Sequence, residues 1–273
     1  MHKVVSKQVI GNELKRIEIF APAICAKAES GHFVMVAADE HSARVALAIA
    51  GVNDLKETVT LIFKEDNLST KKLGSLWIGD SVFALLGPLG RSPAIKDFGN
   101  VLCIGYETGV VSLLSICRAL HKSGNKVTSV LGAKTKRDLC LEPQIHLCSQ
   151  KAYVMSEDGS IGKRGYVTDI LSKIFLEQKI DRIYVAGLFT VFQEVLAGVR
   201  EKKVPVKILI NPETIDGFGI CGCDLIKVKD RYVSASVEGP EFDVDEIDFN
   251  FLEIKMRNFN PDFALAKSAS REI

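Results

Sequence analysis

The spacing of apolar residues changes once along the chain, near Pro93, and this change limits the fold more than any single motif does. Before it, KVVSKQVI, KRIEIFAP, HFVMVAA, ARVALAIAG, TVTLIFK and DSVFALLG are short runs divided by turn residues. Six such strands without a long helix predict a small antiparallel six-stranded barrel. STKKLGSLWIG is its one helix-like interruption, and Gly87-Pro88-Leu89-Gly90 reads as a closing turn. After Pro93, VLCIG, VTSVLGA, KAYVMS, RIYVAG and VKILI alternate with the amphipathic stretches VVSLLSICRALHKSG, VTDILSKIFLEQ and TVFQEVLAGVREK. A further short helix is expected after Thr135. Strands alternating with helices predict βαβ units in a doubly wound parallel sheet. The fold class is therefore all-β plus α/β, with a barrel over 1–97 and an α/β domain over 98–210. Residues 211–273 form a third segment: a glycine-rich loop NPETIDGFGICGCD, a hairpin LIKVKDRYVSAS, the acidic EGPEFDVDEID and a tail packed on a neighbour or partner.

Charge and cysteine usage narrow the function. Lys and Arg number 35 against 34 Asp and Glu, so no basic field draws the chain to nucleic acid or an anionic membrane. Its N-terminus alternates apolar and charged residues, unlike a signal peptide, and no run approaches a membrane span. The expectation is a cytoplasmic protein. Seven cysteines, at 25, 103, 117, 140, 148, 221 and 223, form no disulfide framework. Only Cys221 and Cys223 are close enough in sequence to suggest chemistry; the rest read as small buried hydrophobes. His32, His41, His121 and His146 read as surface or structural.

Three constellations carry the chemistry. In V-L-C-I-G-Y-E-T-G, a buried strand ends at Gly105 and Gly109 opens a helix, with Thr108 between them. Such glycines let backbone approach a phosphate, or simply make a tight βα turn. LGAKTKRD, with Gly132 and Lys134, and VAGL, with Gly187, end two further strands on the same sheet edge. Lys134, Lys136 and Arg137 either meet an adenosine phosphate or form a solvated basic turn. In the barrel, Arg44 offers charge and a forked donor for a phosphate, and Ser69-Thr70 open a short helix whose start suits the same anion; Ser69 alone also reads as an N-cap. Third, D-G-F-G-I-C-G-C-D at 216–224 has glycines whose amides can face anionic sulfide, as iron–sulfur loops do.

In this order the constellations resemble the FAD/NAD-binding electron-transfer subunits: the dihydroorotate dehydrogenase electron-transfer subunit and the small subunit of ferredoxin-dependent NADH:NADP transhydrogenase, also called sulfide dehydrogenase β subunit. The resemblance runs from about residue 3 to about 255 and is carried most specifically by LGAKTKRDLCLEP, SEDGSIGKRGYVTD, INPETIDGFGICG and VEGPEFD. Asp216 stands where the orotate branch has its first cluster cysteine, which points to the transhydrogenase-type branch. The resemblance implies a ferredoxin reductase-like fold with FAD on the barrel. Arg44 with Ala46, Leu47 and Ala48 matches the flavin-side motif Arg-x-Pro-Leu-Thr, without its proline and threonine. Ile62, Phe63, Ser69 and Thr70 complete the flavin side. Gly105, Thr108, Gly109, Gly132, Lys134 and Gly187 fall on the NAD(P)H side, with Leu188 in place of a proline. For a 2Fe-2S cluster, Asp216 and Cys221 fall on the first two ligand positions and Asp224 and Ser236 on the next two, with Cys223 one residue out of register. Carboxylate and hydroxyl oxygen are poorer iron–sulfur ligands than thiolate.

By that resemblance, hydride passes from NAD(P)H to FAD, and electrons leave singly toward a larger flavoprotein or iron–sulfur subunit, with no general base required. Two rivals remain: a structural or regulatory subunit that has lost its cofactors, and a stand-alone flavin-dependent NAD(P)H reductase without a cluster.

Overall fold

The computed structural model describes residues 2–11, 13–212 and 214–259. Seven strands form the first sheet: β1 (His2–Gly11), β2 (Leu14–Phe20), β3 (Phe33–Ala37), β4 (Val45–Asn53), β5 (Thr58–Lys64), β6 (Ser81–Val82) and β7 (Ala84–Leu89). Their order is β6-β1-β2-β5-β4-β3-β7 and every pairing is antiparallel. The sixth expected strand is broken at Phe83. Its first half pairs with β1 and its second with β3, so one bent run of chain nearly closes the barrel. Ile17, Ile19, Val34, Val36, Leu61 and Phe63 fill the interior. Two short helices, α1 (Pro22–Cys25) and α2 (Leu68–Ser75), flank it.

The second sheet joins β8 (Asn100–Tyr106), β9 (Lys126–Ala133), β10 (Lys151–Ser156), β11 (Lys163–Arg164), β12 (Arg182–Ala186) and β13 (Val206–Leu209). Its order is β11-β10-β9-β8-β12-β13, all parallel. Helices α3 (Gly109–Lys122) and α4 (Glu142–His146) cover one face, and α5 (Leu171–Glu177) and α6 (Phe189–Val199) the other. The short helix expected after Thr135 begins later, at Glu142; Thr135 instead accepts from Arg137 N and donates to Asp138 in a turn.

Helix α3 joins the two sheets. Its apolar face carries Val110, Leu113, Leu114, Ile116 and Cys117, in one cluster with Leu14, Ala50 and Ile62 of the barrel. Arg118 donates to Ala50 O at 3.0 Å, and Ser115 Oγ accepts from Gly31 N at 3.1 Å. The C-terminal segment adds the hairpin β14 (Leu225–Val228) and β15 (Arg231–Ser234), helix α7 (Ala235–Glu238), strand β16 (Glu241–Asp243) and helix α8 (Phe249–Phe259). The acidic stretch is thus partly a strand: β16 pairs antiparallel with β13, and Lys207 faces both Glu241 and Asp243. Gly239 O accepts from Arg91 N at 2.7 Å, so the same segment touches the end of the barrel. Part of the expected tail is helix α8; residues 260–273 lie outside the described residues. Among the described residues no helix is long and apolar enough to cross a membrane.

Candidate functional site

A cleft of about 610 Å³ opens where β4, β5 and α2 of the barrel face the carboxyl ends of β8, β12 and β13. Crevices at the carboxyl ends of parallel strands are where open α/β sheets bind ligands. Its barrel wall holds Arg44, Ala46, Leu47, Ala48, Ile62, Phe63 and Thr70, and its sheet wall Thr108, Gly109 and Gly187. Arg44 is exposed and makes no hydrogen bond or ion pair among the described residues. Ile62 and Phe63 point to opposite sides of β5, Phe63 into the barrel and Ile62 toward α3.

The floor is set by two glycines. A Cβ on Gly109 would lie 2.5 Å from Gly187 N and 2.6 Å from Ala186 C, so the turns after β8 and β12 touch backbone to backbone. Leu188 holds φ −69°, the angle a proline would impose, so the replacement of that proline leaves the local path intact.

Four of the expected residues do not line this cleft. Ser69 is not the helix cap: Asn67 is, its side chain accepting from Thr70 N at 3.0 Å while Thr70 Oγ1 accepts from Asn67 N at 3.2 Å. The Thr70 hydroxyl also donates within this capping box, leaving it engaged with its own helix. Gly105 and Gly132 serve packing. A Cβ on Gly105 would meet Val110 Cγ2 at 2.9 Å, and one on Gly132 would meet Val167 Cγ1 at 2.3 Å. Lys134 is exposed in the turn beyond β9. Sequence reasoning missed Asn67, Ser112, Asn211, Phe189 and Thr214, all of which border the cleft. Ser112 donates to Asn211 Oδ1 at 2.8 Å, tying α3 to the loop after β13.

The glycine-rich loop sits at the cleft mouth, where Cys223 joins its lining. Asp216 is engaged with the loop itself, and Asp224 with the hairpin and helix that follow it. Asp216 Oδ1 accepts from Phe218 N at 2.7 Å and Gly219 N at 3.0 Å, and Oδ2 accepts from Cys221 N. These are amides of the kind that would cradle an anionic sulfide, and a carboxylate occupies them instead. Asp224, 2% exposed, accepts on Oδ2 from Ser234 Oγ at 2.6 Å and Ser236 N at 2.7 Å; Ser236 Oγ lies 2.9 Å from Ser234 Oγ. One buried Asp224 oxygen has no partner among the described residues. With the two thiols it falls short of the four ligands a 2Fe-2S cluster takes. No group of three or more His, Cys, Asp or Glu among the described residues is arranged to hold a metal ion. The expected ligand set Asp216, Cys221, Cys223, Asp224 and Ser236 therefore does not fit a cluster.

Hydrogen bonding from Phe218 N, and then from Cys221 N, holds the Asp216 carboxyl below its ordinary range. A depressed folded pKa means that this stabilisation is complete above the unfolded carboxylate value and lost as pH falls through the folded one. Asp216→Ala is expected to lower the exchange protection factors of the Phe218, Gly219 and Cys221 amides by roughly tenfold at neutral pH, and acid to lower the same protection factors in the parent. Unchanged protection at all three would refute the assignment. The Ile215 amide beside its sulfur lowers the Cys221 pKa, while the contact with Cys221 raises that of Cys223. Burial raises the Cys140 thiol to about 12, in keeping with an inert core position.

No family model matches the chain. A relative in Thermotoga maritima, named as a dihydroorotate dehydrogenase B (NAD(+)) electron transfer subunit homolog, is 31% identical over 252 residues, covering 92% of this chain and 89% of that one. The chain belongs to the dihydroorotate dehydrogenase B electron transfer subunit family. A second member of the electron transfer subunit family, from Shouchella clausii, is 29% identical over 80% of this chain and 86% of its own. Among solved structures, that of an NADH-dependent reduced ferredoxin-NADP oxidoreductase, described in the context of flavin-based electron bifurcation, superimposes with a TM-score of 0.89. It is 28% identical and covers 100% of this chain and 98% of that chain. A ferredoxin reductase of a carbazole 1,9a-dioxygenase, 20% identical with a TM-score of 0.60 over 76% of this chain and 67% of its own, shares the ferredoxin reductase-like fold. This electron transfer subunit family is one of oxidoreductases, and the barrel followed by a parallel sheet is its architecture.

Proposed function

We propose that this chain takes a hydride from NAD(P)H onto FAD and passes electrons to a partner flavoprotein. One observation carries the reading: a single cleft joins the free guanidinium of Arg44 and the apolar bed of Ala46, Leu47 and Ala48 to the close-packed Gly109–Gly187 floor. The first wall suits a flavin and its phosphate, and the second a nicotinamide nucleotide. Bound there, FAD would supply two-electron acceptance with one-electron release. The chain's own residues orient: Arg44 fixes a phosphate, the β4 backbone supports a ring, and the Ser112–Asn211 bond keeps the far wall in place. Because the 216–236 loop does not fit a cluster, the reading assigns electron output to the flavin alone. The relatives' names as electron transfer subunits, and the exposed Ile215 on the cleft lining with the exposed Phe218 and Ile220 farther along the same loop, support a partner docked on that side. Seven unpaired cysteines accord with a reducing, cytoplasmic setting.

One absorbance experiment tests this. The purified protein, supplemented with FAD, is expected to show bands at about 375 and 450 nm that bleach on addition of NADH or NADPH. A protein that binds no FAD would sink the proposal and favour a structural subunit. Bleaching without any co-purifying flavoprotein would favour a stand-alone reductase.

A further inference from the structure

Five of the seven cysteines are buried, and the two partly exposed ones are neighbours in one loop. Gly222, between them, holds φ 68°, so the two cysteines flank one tight bend of the chain. The Cys223 sulfur lies 3.8 Å from the Cys221 carbonyl oxygen. A disulfide requires Cα atoms roughly 4.4–6.8 Å apart, a span that residues two apart across such a bend can meet. The linker has room for it, since a Cβ at Gly222 would meet only Leu225 Cδ1, at 3.7 Å.

The two sulfurs are not equivalent. Cys221 Sγ lies 3.6 Å from Thr214 Oγ1, and backbone hydrogen bonding, led by Ile215, lowers its pKa; the Cys223 thiol donates to the Cys221 carbonyl oxygen. Cys223 instead borders the open cleft beside Thr214 and Ile215. A sulfur with a hydroxyl beside it and a lowered pKa is the attacking member of a pair, and a second cysteine two residues on is placed to resolve the mixed disulfide.

We propose that Cys221 and Cys223 form a redox-active dithiol site whose substrate is a disulfide. The Cys221 thiolate attacks one sulfur of RSSR, forming a Cys221–S–S–R bond; RS⁻ leaves and takes a proton from water. Cys223, its proton given to water, attacks the Cys221 sulfur. The intramolecular disulfide closes as the second RS⁻ leaves and is protonated. Two electrons pass from the protein thiols to RSSR, giving one protein disulfide and two RSH. The site does not depend on the flavin and nicotinamide reading, and its test needs no nucleotide.

The full-length protein, reduced and freed of reductant, is exposed to glutathione disulfide, then denatured and alkylated. Of the seven thiols, five are expected to take the alkyl group, with the missing two mapping to Cys221 and Cys223 and the unalkylated mass lower by about 2 Da. Cys223→Ser should stall with glutathione on Cys221, gaining about 305 Da, while Cys221→Ser reacts at least about tenfold more slowly. A parallel arm with insulin, a disulfide-bonded protein, tells whether the disulfide taken is small or carried on a protein. Seven alkyl groups on the parent after exposure would overturn the proposal, with no variant needed; so would equal rates of mixed-disulfide formation in the two serine variants.

Discussion

Gly109→Ala is expected to slow nicotinamide-nucleotide reduction of the flavin by on the order of a hundredfold and to lower the melting temperature. The added methyl would lie 2.5 to 2.6 Å from Gly187 N, Ala186 C and Gly187 Cα, three backbone atoms held at the end of β12. No rotamer change relieves contacts of that kind, so helix α3 or the turn after β12 must move. Overpacking of this sort costs up to about 3 kcal/mol, which at this chain length lowers Tm by roughly 6–12 °C. The functional loss should exceed the loss of stability. A displacement of about 1 Å between reacting groups costs on the order of a hundredfold in rate, and Gly109 and Gly187 are the floor on which the nucleotide is proposed to lie. Gly198→Ala is the control, because its Cβ would meet only Leu171 Cδ1 at an ordinary 3.4 Å. That variant should be neutral or slightly stabilised, as alanine outranks glycine within helices. Stopped-flow reduction and thermal melts of both proteins decide the matter, and a Gly109→Ala protein that melts and reduces like the parent would remove the floor from the argument.

Arg44→Ala should weaken FAD binding by about 10- to 100-fold while leaving the flavin-free protein as stable as before. The first half follows from the worth of a charge-assisted bond from guanidinium to phosphate, about 1.5–3 kcal/mol. The second follows from the exposure of Arg44 and its lack of any hydrogen bond or ion pair within the described chain. Arg44→Lys keeps the charge without the fork and should recover only part of the affinity. Equilibrium flavin titrations at two salt concentrations provide the check, since an exposed ionic contact weakens with salt. An unchanged dissociation constant in Arg44→Ala would move the phosphate elsewhere.

Much of the fold was legible because each half repeats one period. The barrel strands carry apolar runs between turns, and the second half alternates strand and helix. What escaped depended on contacts between distant residues. The break at Phe83 arises because the two halves of one strand have different partners, β1 and β3, which no local pattern reveals. Strand β16 lay hidden in an acidic stretch whose Glu241 and Asp243 are met by Lys207 across the sheet. The site was legible in part. Arg44, Gly109 and Gly187 converge on one cleft, whereas Gly105 and Gly132 look alike in sequence and are required by neighbouring side chains. A glycine shows that a Cβ is unwelcome, not what would displace it. The cap at Asn67 was missed because Thr70, three residues on, replaces the usual Glu or Gln of a capping box.

The carboxylates of Asp216 and Asp224 give the cleft-mouth loop a property that a metallated loop would lack. Both carboxyl groups are part of the polypeptide, so these bonds form as the chain folds, without waiting for iron delivery or an assembly scaffold. The same bonds leave nothing in the loop for air to dismantle by stripping out a metal. A cell short of iron or newly exposed to oxygen would keep this part of the protein folded.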